Sequence, residues 1–137
     1  MAATDLNSVR SIIETRLKNE LITGSPSITV IFNNVPSKPP NRTTWVQCDI
    51  SFGSSSYFSM DQNKVSGVVV FNVFSAKGVG PRQNFIVGKR IRDLYNKVKV
   101  SGVYFDAPVG PEVFANSEPE AYFQTQVRIT FDVFEAV

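Results

Sequence analysis

Histidine is absent from this chain of 137 residues, and cysteine occurs only once, as Cys48. Without histidine, the commonest general base is missing, the commonest neutral metal ligand is missing, and every histidine-dependent triad is excluded. One cysteine cannot form an internal disulfide, and the standard structural zinc sites are excluded as well. We therefore expect Cys48 to be a small buried side chain, and we expect no metal and no cofactor.

Long hydrophobic runs are also absent. No stretch approaches the roughly 20 apolar residues that a helix needs to span a bilayer, so no membrane partner is expected. The first ten residues lack a basic segment followed by an apolar one, and we therefore expect no secretory signal. The length predicts one domain, residues 1–137, and the single cysteine is compatible with a reducing cytoplasm.

A phosphate-binding loop is suggested by the glycines of Gly78–Gly80 and by Gly88–Lys89, but the pattern fails. A phosphate loop requires a glycine five residues before Gly88, where the chain has Gln83, and it requires Ser or Thr where the chain has Arg90. The glycines are better explained by a sharp turn of the backbone. The carboxylates are scattered, so no catalytic pair stands out. The sequence therefore predicts a protein without catalytic residues, which is not an enzyme.

The segment from Val65 to Val98 is the centre of the predicted fold. Val65–Phe74 is an almost continuous apolar strand, which suits burial on both faces, or burial under a helix on one face and against a partner chain on the other. The following helix, about Gln83–Val98, has an apolar stripe at helical spacing. The stripe consists of Val87, Ile91, Leu94, Tyr95 and Val98.

The remaining elements follow from periodicity and from turn residues. An apolar stripe predicts a first helix over Thr4–Leu21, and alternation predicts strands over Ser27–Phe32 and Thr44–Phe52. Gly53–Ser56 is expected to be a flexible turn, leading to a short edge strand over Tyr57–Met60. Val100–Phe105 is expected to be one strand, and Ala107–Pro119 a loop with a brief extended piece near Val113 and Phe114.

The last predicted strand, Tyr122–Phe134, alternates over its whole length. Val127, Ile129 and Phe131 share its inward face, whereas Gln124, Gln126 and Arg128 share a polar face suited to water or to a wet protein interface. The order of elements predicts an α+β fold, in which a mixed or antiparallel sheet is packed by two main helices.

Charge is unevenly distributed along the chain, although the net charge is only +2. Seven basic residues and one acidic residue lie between Lys77 and Lys99, whereas six acidic residues and one basic residue follow Val100. If these blocks are also separated in space, one subunit carries complementary patches that set the orientation of neighbouring copies.

Two surfaces have open interpretations at this stage. The basic side of the second helix, with Arg82, Lys89, Arg90 and Arg92, is typical of a solvated face, of a subunit contact, or of a surface that binds nucleic acid through phosphates. The nearby Phe85 and Tyr95 are expected in the core. The proline-rich segment Asn33–Thr43 is either an ordinary crossover or a stiff loop that contacts a neighbour.

Four stretches, taken in order, carry a resemblance to a known family. They are the helix VRSIIETRL, the proline-rich loop and tryptophan-bearing strand of FNNVPSKPPNRTTWVQCDISFG, the strand, glycine turn and helix of GVVVFNVFSAKGVGPRQNFIVGKRIRDLY, and the closing strand FQTQVRITFDVFE. As an ordered set they resemble the tail terminator, or tail completion, proteins of long-tailed bacteriophages. Residues 107–120 match nothing in that pattern.

The resemblance implies a structural virion protein of the tail or neck, assembled in the host cytoplasm. Six copies would form a ring that caps the tail tube, stops its polymerisation and joins it to the head-side connector or stopper protein, while DNA passes non-specifically through the lumen. Alternatives are another neck or baseplate component, such as a head-tail adaptor, or a small nucleic-acid-binding module.

The residues expected to make these contacts are our own inference rather than a property of the family. Candidates for contacts with a neighbouring subunit or partner are Val35, Lys38, Pro39, Pro40, Arg42, Gln124, Gln126 and Arg128. Candidates for a basic face toward the lumen, DNA or another subunit are Arg82, Lys89, Arg90 and Arg92.

Overall fold

The structure, a computed structural model, describes residues 6–24, 28–32, 44–60, 62–76, 82–114 and 122–136. Helix α1 spans Leu6–Leu17 and continues as a π-helical turn over Lys18–Ile22; helix α2 spans Arg82–Tyr95. The strands are β1 (Thr29–Phe32), β2 (Trp45–Ser59), β3 (Gln62–Ala76), β4 (Lys99–Val100), β5 (Val103–Phe105), β6 (Val109–Phe114) and β7 (Tyr122–Ala136). The proline-rich segment and the glycine turn at Gly78–Gly80 lie outside the described residues.

The described strands form one mixed sheet in the order β1-β2-β3-β7-β5-β4, with β6 also paired to β7. Strand β1 runs parallel to β2, and the other pairings are antiparallel. The predicted α+β class is therefore confirmed. None of the helices in the described ranges is long and apolar enough to cross a bilayer.

Three strands of 15 residues, β2, β3 and β7, form the centre of the sheet. The predicted turn at Gly53–Ser56 is wrong, because β2 continues through it to Ser59 and the predicted short edge strand is part of the same element. An irregularity in the pairing with β3 between Phe52 and Ser55 accommodates the glycine. A β-bulge lets a long strand stay paired across a residue that weakens it.

The prediction of a single strand over Val100–Phe105 is also wrong. It forms a hairpin in which Val100 pairs with Val103, and the turn residues Ser101 and Gly102 have φ angles of 48° and 88°. Positive φ at both central residues is the geometry of the tight turn that matches the twist of the flanking strands, and glycine adopts it readily. After it, the extended piece predicted near Val113 is confirmed as β6.

The sheet has two faces of different character. The covered face, against α1 and α2, carries fully buried side chains in register across β2, β3 and β7. These side chains include Val46, Cys48, Val69, Phe71, Val73, Val127, Ile129 and Phe131. Each large apolar side chain of this kind stabilises the fold by about 1.5–3 kcal/mol relative to exposure.

The two helices are bonded to each other as well as to the sheet. The buried Tyr95 hydroxyl donates to the carbonyl of Ile13 at 2.7 Å. The Arg16 guanidinium donates from Nε and Nη2 to the Leu94 carbonyl, at 3.0 and 2.8 Å. These contacts close the helical layer over the covered face.

Candidate assembly surfaces

The open face of the sheet is the side opposite the helices. Along β3, Val68, Val70 and Asn72 point to this side and are half-buried, whereas Val69 and Phe71 beneath the helices are fully buried. No helix of the described chain covers the open face. Of the two arrangements predicted for this apolar strand, the described part of the chain therefore shows burial under helices on one face only.

Gln124 and Gln126, two of the predicted contact residues, lie at the centre of the open face. Both donate from Nε2 to the side-chain oxygen of Asn72, at 2.9 and 3.0 Å. Gln47 on β2 stands in register with Asn72, and Gln126 stands in register with Glu112 on β6. The predicted polar face is thus a row of amides on β2, β3 and β7 that ends at the Glu112 carboxylate on β6.

Arg128, the third predicted residue on β7, lies beside this row. Its Nη2 donates to the Glu112 carboxylate at 3.3 Å, and the two side chains are 49% and 45% exposed. Ion pairs this exposed contribute about 0–1 kcal/mol in solvent. The pair therefore contributes little to the stability of the monomer, and both groups remain accessible to a neighbour.

Two further acidic groups of the open face lie toward the other end of β7. Asp132 accepts from the Ser66 hydroxyl at 2.7 Å and lies 3.8 Å from the Lys64 ammonium. Asp106 accepts from the Thr130 hydroxyl at 2.6 Å. Two acidic residues from the C-terminal block are therefore on the side of the sheet away from α2.

The four predicted basic residues are all on α2, but three of them are bonded within the molecule. Arg90 donates to the carboxylate and to the carbonyl of Glu20, at 3.1 and 2.6 Å, and it is largely buried. Lys89 pairs with Asp93 at 2.6 Å, and Arg92 donates to the Gly110 carbonyl at 2.7 Å. Arg82 is exposed at the first position of the helix.

Helix α2 also packs closely against β6. A β-carbon on Gly88 would lie 2.9 Å from Cγ of Pro111, so only glycine permits this approach without a shift. Phe85, predicted in the core, is 41% exposed, and its neighbour Ile86 is 39% exposed. The prediction for Phe85 is wrong because the buried stripe of α2 runs through Val87, Ile91 and Tyr95, with Phe85 beside it.

The open face and the basic side of α2 are on opposite sides of the molecule, with the sheet between them. The structure therefore brings Gln124, Gln126 and Arg128 together. It places the four basic residues on α2, but Arg90 is directed to Glu20 and Arg92 to Gly110, and none of the four joins the polar row. Val35, Lys38, Pro39, Pro40 and Arg42 all lie outside the described residues.

Sequence reasoning missed a buried polar cluster at the start of α2. The Asn84 amide donates to the carbonyls of Val73 and Phe123, at 3.0 and 3.2 Å, and its oxygen accepts from the Ser75 hydroxyl. Thr125, also fully buried, lies 3.5 Å from the amide nitrogen. The sequence signal for this cluster was Asn84 itself, a polar residue near the start of the predicted helix. Because every group found here is bonded, the cluster fixes α2 on the sheet.

Two ionisable groups are deeply buried under the helices. Burial raises the pKa of the Cys48 thiol, and nearby Glu14 and Asp49 add to the effect. Burial also raises the pKa of Tyr95, although Arg16 opposes the shift. A protonated, buried thiol is a poor nucleophile and a poor metal ligand. The expectation that Cys48 is a small buried side chain is therefore confirmed.

A groove of about 470 Å³ lies between α1 and the turn after β4, and sequence reasoning did not predict it either. Its walls combine the hydroxyls of Ser11 and Thr15 with the apolar side chains of Ile12 and Leu94. Its charged members, Arg16 and Glu20, are already bonded to other parts of the helical layer. No group of three potential metal ligands occurs among the described residues.

Comparison with known proteins shows the fold. No family model matches the chain, and no curated protein matches it. Twelve solved chains resemble it. One of these, a protein whose name states no activity or partner, covers 95% of this chain with 96% of its own length, with a TM-score of 0.71 and 16% sequence identity. At this identity the likeness concerns the fold alone.

Proposed function

We propose that this chain is a structural subunit of a phage tail, a tail terminator. Six copies form a ring that caps the tail tube, stops its polymerisation and presents a surface to the head-side connector, with DNA passing through the lumen. The observation that carries the proposal is the ordered resemblance of four stretches, above all the strand Gly67–Phe74 followed by the glycine turn and the helix Asn84–Tyr95.

The fold is compatible with the proposal. The resembling stretches form α1, β2, β3, α2 and β7, which together make the helical layer and the centre of the sheet. The resemblance implies a small subunit that combines helices with a sheet, and the described residues form such a subunit. Among the described residues, Cys48 and Tyr95 lie buried beneath the helices with raised pKa values, which does not prepare either of them to act as a nucleophile.

A ring subunit also needs surfaces that can bind another copy. The open face offers amides, hydroxyls and half-buried valines, which is the mixed composition of many protein interfaces. The polar and partly exposed side chains of this face favour a contact with protein over a role in the core of the monomer.

Binding of DNA as the main function is less well supported by the geometry. Phosphate contacts depend on free Lys and Arg side chains. Here Arg90 holds Glu20, Lys89 holds Asp93, and Arg92 holds a backbone carbonyl. Arg90 is largely buried and Asp93 offsets the charge of Lys89, so this surface offers phosphate less positive charge than the sequence suggests.

The proposal is tested by tube assembly. The tube protein from the same viral genome is polymerised with and without this chain, and tube lengths and tube ends are measured by negative-stain imaging. We expect shorter tubes in proportion to the amount of chain added, each with a six-fold ring at one end. Tubes of unchanged length with bare ends would contradict the proposal.

A further inference from the structure

The outer surface of α2 and of the turn after it has an excess of positive charge. We call this surface the helix face; it comprises Arg82, Phe85, Ile86, Lys89, Arg92, Asp93 and Lys97. Lys89 and Asp93 neutralise each other at 2.6 Å. Arg92 is bonded to a neutral carbonyl, and Arg82 and Lys97 are exposed without a carboxylate partner among the described residues.

Among the described residues, the open face has a small excess of the opposite sign. Arg128 is neutralised by Glu112, and Asp132 has Lys64 within 3.8 Å. Asp49 and Asp106 accept only from neutral donors within the described chain, the Gln47 amide at 3.4 Å and the Thr130 hydroxyl at 2.6 Å. Lys99, at the edge of this face, lies over the ring of Tyr104.

Apolar side chains accompany both charge patterns. On the helix face, Phe85 and Ile86 are 41% and 39% exposed. On the open face, the half-buried Val68 and Val70 occupy the middle strand, in register with Ser51 and Asp49 of β2. Apolar side chains surrounded by polar and charged groups are the usual anatomy of a specific protein interface.

We propose that the helix face of one copy docks on the open face of the next copy. Among the described residues, the helix face is net positive, and the open face, with Lys99 counted against Asp49 and Asp106, has a net charge of −1. The sheet separates the two faces within one molecule. Two different surfaces that meet in this way make a heterologous contact, which generates a ring when the rotation closes. The inference takes the closure of the ring from the proposed function. What it adds is the contact between neighbouring subunits.

Charge reversal on each face tests the pairing. One variant carries Arg82→Glu and Lys97→Glu, and a second carries Asp49→Lys and Asp106→Lys. Each variant alone opposes like charges across the contact, so we expect its weight-average mass in sedimentation velocity to fall toward the monomer. In an equimolar mixture, alternating copies restore opposite charges at every contact, and we expect the oligomer to return.

The controls separate lost assembly from lost folding. Thermal melts monitored by circular dichroism should show both variants folded. Lys18→Glu changes an exposed cation on the π-helical turn, outside both faces, and should assemble like the unmodified chain. Because salt screens contacts between exposed charged groups, the oligomer formed by the mixture should dissociate as the salt concentration is raised.

Three results would overturn the inference. They are assembly of either folded variant at the level of the unmodified chain, a mixture that stays monomeric, and an unmodified chain that stays monomeric at every concentration. If the first or second result occurs while the unmodified chain forms rings, only this contact is wrong. If the unmodified chain also leaves tube length unchanged, the proposed function fails with it.

Discussion

Val69 and Val70 are neighbours on β3, yet they belong to two different environments. Val69 is fully buried against the helices, whereas Val70 is half-buried on the open face, where no helix of the described chain covers it. Successive side chains of a strand point to opposite faces of the sheet. The same strand therefore contributes to the core on one side and to a partly exposed surface on the other.

Polar groups differ between the two faces as strongly as apolar ones. On the covered face, Asn84, Ser75 and Thr125 are almost completely buried and are bonded to one another or to backbone carbonyls. On the open face, Asn72, Gln124 and Gln126 are bonded to each other but remain partly exposed. The first group stabilises one arrangement of the fold, whereas the second can still exchange partners with water or protein.

The largest expected effect is on the covered face. Phe71→Ala should lower the free energy of unfolding by about 3–5 kcal/mol, because it removes a fully buried ring that stacks on Tyr95 and leaves a cavity. Urea unfolding gives the value. Phe85→Ala, at an exposed phenylalanine, is the matched control and should cost less than about 1 kcal/mol. Equal losses for the two variants would contradict the assignment of faces.

The polar cluster gives the next largest effect. Asn84→Ala should cost about 2–3 kcal/mol, because it leaves the carbonyls of Val73 and Phe123 without the donor that the amide supplies. Gln83→Ala, at the half-buried neighbour, should stay within about 0.5 kcal/mol of the unmodified chain. A loss at Asn84 no larger than at Gln83 would show that α2 is held by its apolar stripe alone.

Alkaline pH should weaken the covered face selectively. Burial raises the pKa of Cys48 above its ordinary value of 9.0 and that of Tyr95 above 10.0, so the folded protein holds both protons more tightly than the unfolded chain. The resulting stability is complete below pH 9 and is lost as pH rises, by at most about 1.4 kcal/mol per pH unit for each group.

Urea unfolding of Cys48→Ala and Tyr95→Phe between pH 8 and 11 measures this dependence. Both variants should be less stable than the unmodified chain at pH 8, since each loses buried contacts. Above pH 9, the stability of Cys48→Ala should fall less steeply with pH than that of the unmodified chain. Above pH 10, the same should hold for Tyr95→Phe. Parallel curves for all three proteins would contradict the assigned cause.

The smallest effect on monomer stability is expected on the open face. Val70→Ala should change the free energy of unfolding of the monomer by about 0.5 kcal/mol. It should nevertheless weaken self-association, since the lost side chain lies at the centre of the proposed contact. Paired urea unfolding and sedimentation measurements check this, and a loss in stability as large as that of Val69→Ala would erase the difference between the faces.

Much of the fold could be predicted from periodicity. The alternation in β7 assigned Val127, Ile129 and Phe131 to the buried face, and the stripe of α2 identified Val87, Ile91 and Tyr95. The continuation of β2 through Gly53 could not be predicted, because pairing with β3 along its length overrides the local preference for a turn. The hairpin at Ser101–Gly102 could not be predicted either, because the apolar residues on both sides of this short turn look like one continuous strand.

The candidate site was predicted less completely than the fold. The polar face of β7 was identified from its alternation, but its bonds to Asn72 depend on strand order, which periodicity does not specify. The bond from Arg90 to Glu20 joins residues 70 positions apart, so a side chain that looked free in the sequence is engaged in the structure. The opposite placement of the two charged faces likewise depends on tertiary structure.

Coverage of the open face on assembly is the central claim, and thiol labelling tests it directly. Ser51→Cys places a thiol on the open face, Ser11→Cys places one on α1 outside both faces, and the buried native Cys48 should contribute no fast reaction. We expect the thiol at position 51 to react at least tenfold more slowly when the protein is concentrated enough to associate, with no change at position 11. Equal rates at position 51 in the dilute and concentrated protein would contradict the account.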